Sequence, residues 1–353
     1  MAALAAVGVA SAQSSVSIYG IVDMSYGALT STTSAGAKTS SNGISAQQSV
    51  SRIGFTGVED LGGGLRANFT LEYYIEPDNG SGIGAGTATG TASTARQAFA
   101  GISGGFGSLN IGTQTTLIAL TNGTSDFHGG VNTFGYSAGQ NQNSRRTNLI
   151  QYTTPDFSGF RAAVQLGYSG NFSSTTVANG TGDNTAFRLT YAAGPITAAY
   201  AHETTRLTAL SITNIGATQN NDFANVSRTT DLSNALADRK RTAYGATYNF
   251  GVARAGVTRS EAKAGSTAAT TGRFETTTVG VSVPLGALTL NATADNGEFV
   301  ANGGTANKIG ARQLSAYYAL SKRTNLYAIS GELKNKTSTA KDSHYAVGLR
   351  HQF

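Results

Sequence analysis

The stretch that most restricts what this chain can fold into is Ser343–Phe353, SHYAVGLRHQF. Tyr345, Val347, Leu349 and Phe353 share one parity with His351, while His344, Gly348, Arg350 and Gln352 share the other. That period of two gives a strand one apolar and one polar face. A strand ending on Phe353 in a closed sheet needs its second neighbour from the other end of the chain, and Val16–Tyr26 is the candidate. The two together close a barrel with no exposed edge. Apolar outside and polar inside is the arrangement lipid demands, because there only helices and closed barrels satisfy every backbone group.

Composition agrees with strands as the spanning element. No run reaches the roughly 18–20 apolar residues of a membrane-crossing helix, and charged residues are only 12% of 353. A hydrophobic fraction of 39% and a mean hydropathy of -0.15 look soluble only because half of every barrel strand is polar by design. A soluble sandwich is the rival fold, and it calls for strands apolar on both faces and Trp in its core. Trp and Cys are both absent.

Residues 2–10 form a small-residue apolar run ending in Ala10-Ser11-Ala12, an A-x-A cleavage signal. The reading is a signal peptide over residues 1–12 and an exported barrel over 13–353. The usual basic n-region is missing, so residues 1–12 read as the remnant of a longer signal.

Along the chain, strands alternate with two kinds of connection. The cleanest strand is LRANFTLEYYI, with Leu65, Ala67, Phe69, Leu71, Tyr73 and Ile75 on one face and Arg66, Asn68, Thr70, Glu72 and Tyr74 on the other. Tight turns are expected at residues 60–64, 104–107, 154–159, 192–195, 249–251, 284–286 and 320–325, most of them glycine-rich. Longer Gly/Ser/Thr/Asn loops centre near residues 38, 85, 130, 176, 220, 267, 302 and 338. Seven turns and eight loops connect sixteen strands, the even-numbered outer-membrane layout with short turns periplasmic and long loops outside. A barrel that wide is not filled by its own side chains and leaves a water channel. The loops near residues 130 and 220 are long enough to narrow it.

The chain resembles the trimeric general-diffusion porins of Gram-negative outer membranes, in particular their beta-proteobacterial branch. The resemblance rests on SSVSIYGIVD (14–23), SRIGFTGVEDLGGGLRA (51–67), ARQAFAGISGGFGSLNIG (95–112), RRTNLIQYTTPDFSGF (145–160), SKRTNLYA (321–328) and GLRHQF (348–353), which occur in family order. It implies an all-β fold: a sixteen-stranded transmembrane antiparallel barrel whose third outer loop, here about 115–144, folds inward to a constriction. Carried over by motif, the constriction takes Arg52, Arg96 and Arg145 as basic wall residues, Glu72 as wall carboxylate and Asp126 as the loop's acid. Thr113 stands where the family often has a further Arg. Phe353 matches the family's assembly signal, read by the machinery that inserts barrels. The resemblance also implies a homotrimer embedded in outer-membrane lipid.

Parity places Arg52 opposite Ile53 and Phe55, and Glu72 opposite Leu71 and Tyr73. Arg145 falls opposite Asn148, Ile150 and Tyr152. Arg96 shares parity with Ala98, Ala100 and Ile102, so it points inward only if Phe99 and Gly101 face outward. The resemblance resolves this for inward, with Gly101 permitting close approach at a subunit interface.

A small anion about 4 Å from one Arg gains roughly 1 kcal/mol at the dielectric of water and roughly 4 kcal/mol at that of a protein surface. Three arginines against one or two carboxylates therefore favour small anions by roughly a few-fold to tens-fold. Screening weakens this at high salt. The expected function is passive diffusion of small hydrophilic solutes and inorganic ions across the outer membrane, with no enzyme activity and no cofactor. The alternatives are a solute-specific channel for sugars or organic acids and a non-conducting adhesive or structural barrel. The absence of Trp and a count of about sixteen strands argue against a sugar channel, which resembles this barrel but uses an aromatic slide on a larger frame.

Other functions find no support. His128, His202, His344 and His351 lack ligand spacing, and Asp126-Phe127-His128 has no activated nucleophile beside it. The net charge of +6 is scattered singly along the chain. The one dense basic run, ADRKRT at 237–242, reads as a strand end near the membrane surface, where basic side chains meet anionic lipid, rather than as a nucleic-acid element.

Overall fold

The computed structural model describes residues 15–80, 83, 95–128, 145–168, 183–207, 210–211, 231–232, 237–264, 272–301 and 306–353. The proposed signal segment and most of the outer loops expected near 85, 130, 176, 220, 267 and 302 lie outside the described residues.

Alternation dictates the strands, and their pairing makes a closed sixteen-stranded antiparallel barrel. The first strand, Ser15–Thr32, pairs with the last, Lys341–Gln352, from Ile21↔Gln352 to Thr32↔Lys341. Its other edge pairs with Arg52–Gly62 low on the wall and with Lys38–Ser45 above that. The segment Lys38–Ser45, expected as plain loop, is a strand. Only Ile44 in it is apolar, so no alternating apolar face announces it, and it pairs with the same upper half of the first strand, Ser25–Thr32, that meets Lys341–Gly348 at the seam.

All seven tight turns fall where the sequence puts them. The shortest, Ala193 to Ile196 and Leu285 to Leu288, turn on Gly194 (φ 56°) and Gly286 (φ 64°). A Cβ at either position would meet open space, but the left-handed backbone costs an L side chain roughly 1–2 kcal/mol, so glycine favours the hairpin. Outward positions carry the apolar side chains that face lipid, among them Val279, Leu314, Val347 and Leu349. Inward positions are polar, with Thr258, Thr276, Thr278 and Gln313 among the buried ones.

The closing seam has two further locks. Gly20 and Phe353 exchange backbone hydrogen bonds of 3.1 and 3.2 Å, and the Phe353 ring lies where a Cβ on Gly20 would be, 2.4 Å from its Cζ. Above this, Asp23 is fully buried. It accepts from Tyr327 Oη at 2.6 Å, from the Gln48 amide at 3.0 Å and from the Ser49 amide. Its own amide donates to Ser51 Oγ at 2.9 Å. One carboxylate thus ties the segment leading into the second wall strand to both sides of the seam.

Paired residues on antiparallel strands have Cα atoms about 4.5–5.5 Å apart, within disulfide range. Because the chain has no cysteine, Thr30→Cys with Ser343→Cys, a pair in the closing register, should oxidise in the folded barrel without competing thiols. Non-reducing electrophoresis of the heat-denatured protein should then show a compact cyclised band that reductant removes. Absence of that band from folded protein would contradict the closure.

Candidate pore constriction

Glu72 lies at the centre of the wall cluster, on the inward face of Leu65–Tyr74 and only 5% exposed. Arg96 Nε donates to its Oε1 at 2.6 Å, and Arg52 Nε stands 3.6 Å from Oε2. Tyr19 Oη donates to Oε2 at 3.1 Å. Tyr19 reaches it by lying over Gly54, where a Cβ would come within 2.3 Å of the ring. Tyr74 links the next member: the Arg96 guanidinium stacks 4.7 Å from its ring centroid, and its hydroxyl accepts from Arg145 Nη1 at 3.4 Å. Four of the expected residues, Arg52, Glu72, Arg96 and Arg145, are therefore joined directly or through Tyr74.

Arg96 turns inward for a reason different from the expected one. The register between its strand and Leu65–Tyr74 slips at this point, with Glu72↔Gln97 followed by Tyr73↔Ala95, so Arg96 is the extra residue of a bulge. Below the bulge the parity is inverted. Gly101 lies on the inner face beside Asn68 and Asn110, while Ala98, Ala100 and Ile102 share the outer face with Leu71 and Ile111. The expectation that Phe99 and Gly101 face outward is thus corrected, and the outward surface of this strand is small and apolar without them.

The third loop enters from the strand Gly107–Thr115. Thr116 caps the helix Leu117–Asn122, its side chain accepting from the Ala119 amide at 3.3 Å. Leu117 and Ile118 bury against Ala163, Ala186, Ala201 and Ala243, alanines on the inner wall that leave room for a helix. Burying each of these two side chains contributes roughly 1.5–3 kcal/mol. Arg188 completes the seat, donating to Thr121 Oγ1 at 3.1 Å and to the Leu120 carbonyl at 3.3 Å. The chain then runs around the wall, Asn122 accepting from Ser260 Oγ at 2.6 Å and Ser125 meeting Thr258. Phe127 lies on Gly280, a Cβ there being 2.4 Å from its ring, beneath the Arg254 guanidinium 4.7 Å away.

His128 pins the end of the described segment. Its Nδ1 lies 3.3 Å from Asp126 Oδ1 and its Nε2 3.0 Å from Asp295 Oδ2, and its carbonyl accepts from Gln313 and Tyr317 at 3.0 Å each. Burial alone pulls the imidazole down, but the hydrogen bonds and charges of the two carboxylates outweigh it and push its pKa up to about 9. Asp126, expected as the acid of the constriction, thus spends its Oδ1 on the His128 side chain and amide. Its described partners are His128 and Gly123 within the loop rather than the Arg52–Arg145 cluster.

A second cluster escaped sequence reasoning. Glu203 is fully buried, Arg241 Nε donates to it at 2.9 Å, and Arg146 and Arg239 flank it. Arg146 Nη1 also donates to Thr205 Oγ1 at 3.4 Å. The ADRKRT run is corrected accordingly: Arg239 and Arg241 face inward and are buried, and only Lys240 between them is exposed on the outer side. Adjacent Arg145 and Arg146 serve different clusters, and the register slips just beyond them, between Gly112 and Gln114, where Asn148 takes φ 55°.

A sequence profile of the Gram-negative porin family matches residues 1–338. The chain belongs to that family. The porin is 30% identical to outer membrane porin protein 32 of Delftia acidovorans over 100% of this chain and 98% of the relative. It is 29% identical to an outer membrane porin protein of Bordetella pertussis over 98% of this chain and 96% of the relative. The solved anion-selective porin from Comamonas acidovorans superposes with a TM-score of 0.75 at 24% identity, covering 97% of this chain and 100% of that one. The porin is thus an outer-membrane β-barrel and a diffusion channel.

The raised pKa of His128 gives its pin a pH dependence of known sign. The contribution of the protonated ring is complete below about 6.5 and is lost as pH rises through about 9. Single-channel current should therefore become noisier on raising the bath from about pH 6 to about pH 10. His128→Ala should be noisy across that range. Equal noise in both proteins at every pH would show that the pin does not hold the loop.

Proposed function

We propose that this porin passes small hydrophilic solutes and inorganic ions with a preference for anions, set where Arg52, Arg96 and Arg145 share one wall. The observation that carries the reading is the charge count at Glu72. Three guanidiniums gather around a single carboxylate, which Arg96 and Arg52 already engage. The loop acid Asp126 is engaged by His128, so it adds little negative potential at the arginine wall. The described part of the third loop lies against strands from Phe160 to Ala319, on the side away from this wall. The Comamonas acidovorans protein, named as anion-selective, is in keeping with this sign. A sugar or organic-acid channel and a non-conducting barrel remain the rival readings.

The same reading takes residues 1–12 as an export signal, 13–353 as the mature barrel and Phe353 as the assembly signal. It also takes the functional unit as a homotrimer, and the flat outward patch of Ala98, Ala100, Ile102 and Ile111 suits close subunit approach.

Reversal potentials across a planar bilayer with a salt gradient test the selectivity. Arg52→Ala and Arg145→Ala should each lower the anion-to-cation permeability ratio by roughly two- to five-fold, the effect of losing about 0.5–1 kcal/mol of attraction. The wild-type preference should shrink as the Debye length falls from about 10 Å at 0.1 M salt to about 3 Å at 1 M. A cation preference keeps the pore but overturns the charge assignment, and a folded barrel without conductance favours the adhesive alternative.

A further inference from the structure

The outer surface carries a charged cluster that the pore does not use. On the outward face near the long-loop end, Lys334 Nζ lies 2.6 Å from Glu332 Oε1, Lys341 Nζ meets Oε2, and Arg312 Nη2 stands 3.6 Å from Oε1. One carboxylate cannot neutralise three cations, and two positive charges are left over. All three cations stay open to the surroundings, the Arg312, Lys334 and Lys341 side chains being 75%, 45% and 40% exposed. An ammonium has three donors, so each lysine keeps hydrogen-bonding capacity after serving Glu332.

Directly below, the outer face turns apolar in register. The row Arg312↔Glu332↔Ser343 is followed by Leu314↔Ser330↔Tyr345 and then by Ala316↔Ala328↔Val347. Large and small side chains alternate across this band, leaving a trough floored by Ala316 and Ala328 between Leu290 and Leu314 on one side and Tyr345 and Val347 on the other. The walls are exposed: Leu314 is 66%, Tyr345 54% and Val347 62% accessible. From Arg312 to Ala316 the strand advances about 13 Å, so cations and trough are within reach of one amphiphile.

We propose that Arg312, Lys334, Lys341 and this trough form a binding site for a phosphate-bearing, multiply acylated glycolipid of the outer leaflet. The phosphate is held by the three cations and one acyl chain lies over Ala316 and Ala328. Long loops mark the outer side of such a barrel, which puts the cations at the outer headgroup level and the trough in the upper hydrocarbon. A free anion has no use for the trough. A second protein copy would have to bring anionic groups to offset the two surplus charges. An acylated phosphate satisfies both halves of the site at once.

The test uses the folded full-length barrel in zwitterionic detergent, with diphosphoryl lipid A as probe and native mass spectrometry and thermophoresis as readouts. Folding is checked by heat-modifiable gel mobility. The wild type should retain the probe. Lys334→Gln with Lys341→Gln should weaken it at least ten-fold, as should Ala328→Phe, which fills the trough from outside the wall. Lys240→Gln, an exposed outward cation on another strand, should leave binding unchanged. Equal affinity for dephosphorylated lipid A would overturn the proposal, and so would displacement by inorganic phosphate alone, which marks a simple anion site. Equal or tighter binding of phosphatidylglycerol would overturn the glycolipid assignment. If the variants change subunit assembly and not lipid retention, the face belongs to a second copy and the proposal is wrong.

Discussion

The backbone pairing of the first strand with the last is what holds every other part of the molecule in place. In hydrocarbon an unmade backbone hydrogen bond costs several kcal/mol, so a sheet of this size survives there only if its two edges find each other. The register from Ile21↔Gln352 to Thr32↔Lys341 accomplishes this, and Asp23 and Phe353 hold it from the inside and at the lower rim. Closure also gives meaning to parity. Once the wall is a ring, every other residue has a solvent and every one between has lipid, and chemistry that needs water is confined to one side.

The inner wall is then divided between two tasks. From the strand Phe160–Gly167 round to Asn307–Ala319 it is a seat for the third loop, with small alanines under Leu117 and Ile118, hydroxyls and amides under Asn122 and Ser125, Gly280 under Phe127 and a carboxylate for His128. Across the lumen, Arg52, Arg96 and Arg145 surround Glu72. The seat draws Asp126 to its own side, and the imbalance of charge at the other wall follows from it. On the function proposed above, loop position and pore electrostatics are two consequences of one packing arrangement.

Apart from Lys38–Ser45, the wall strands and all seven tight turns were legible because alternation and glycine are local signals that need no tertiary knowledge. Arg52 and Glu72 were legible for the same reason, lying in unbroken alternation. Arg96 was not, because one bulge residue reverses the parity of everything beyond it and leaves no mark in the composition. The Arg146, Glu203, Arg239 and Arg241 cluster was missed because its members come from three separate strands and its one dense run looked like a surface patch. Arg239 and Arg241 do alternate with Lys240, and that parity was the available clue. The helix Leu117–Asn122 was hidden for another reason. Its six residues are too few for a periodic pattern, and the row of inward alanines that receives it becomes visible only when four strands are aligned.

Anions should collect along the arginine wall opposite the seated loop. Crystals of the folded porin grown in bromide, with anomalous scattering recorded at the bromine edge, would locate them. Bromide peaks are expected within contact of Arg52, Arg96 or Arg145, with the Phe127 and His128 backbone resting on the strands that carry Gly280 and Asp295. Bromide confined to the outer rim, or a third loop lying across the arginines themselves, would contradict this picture of the pore.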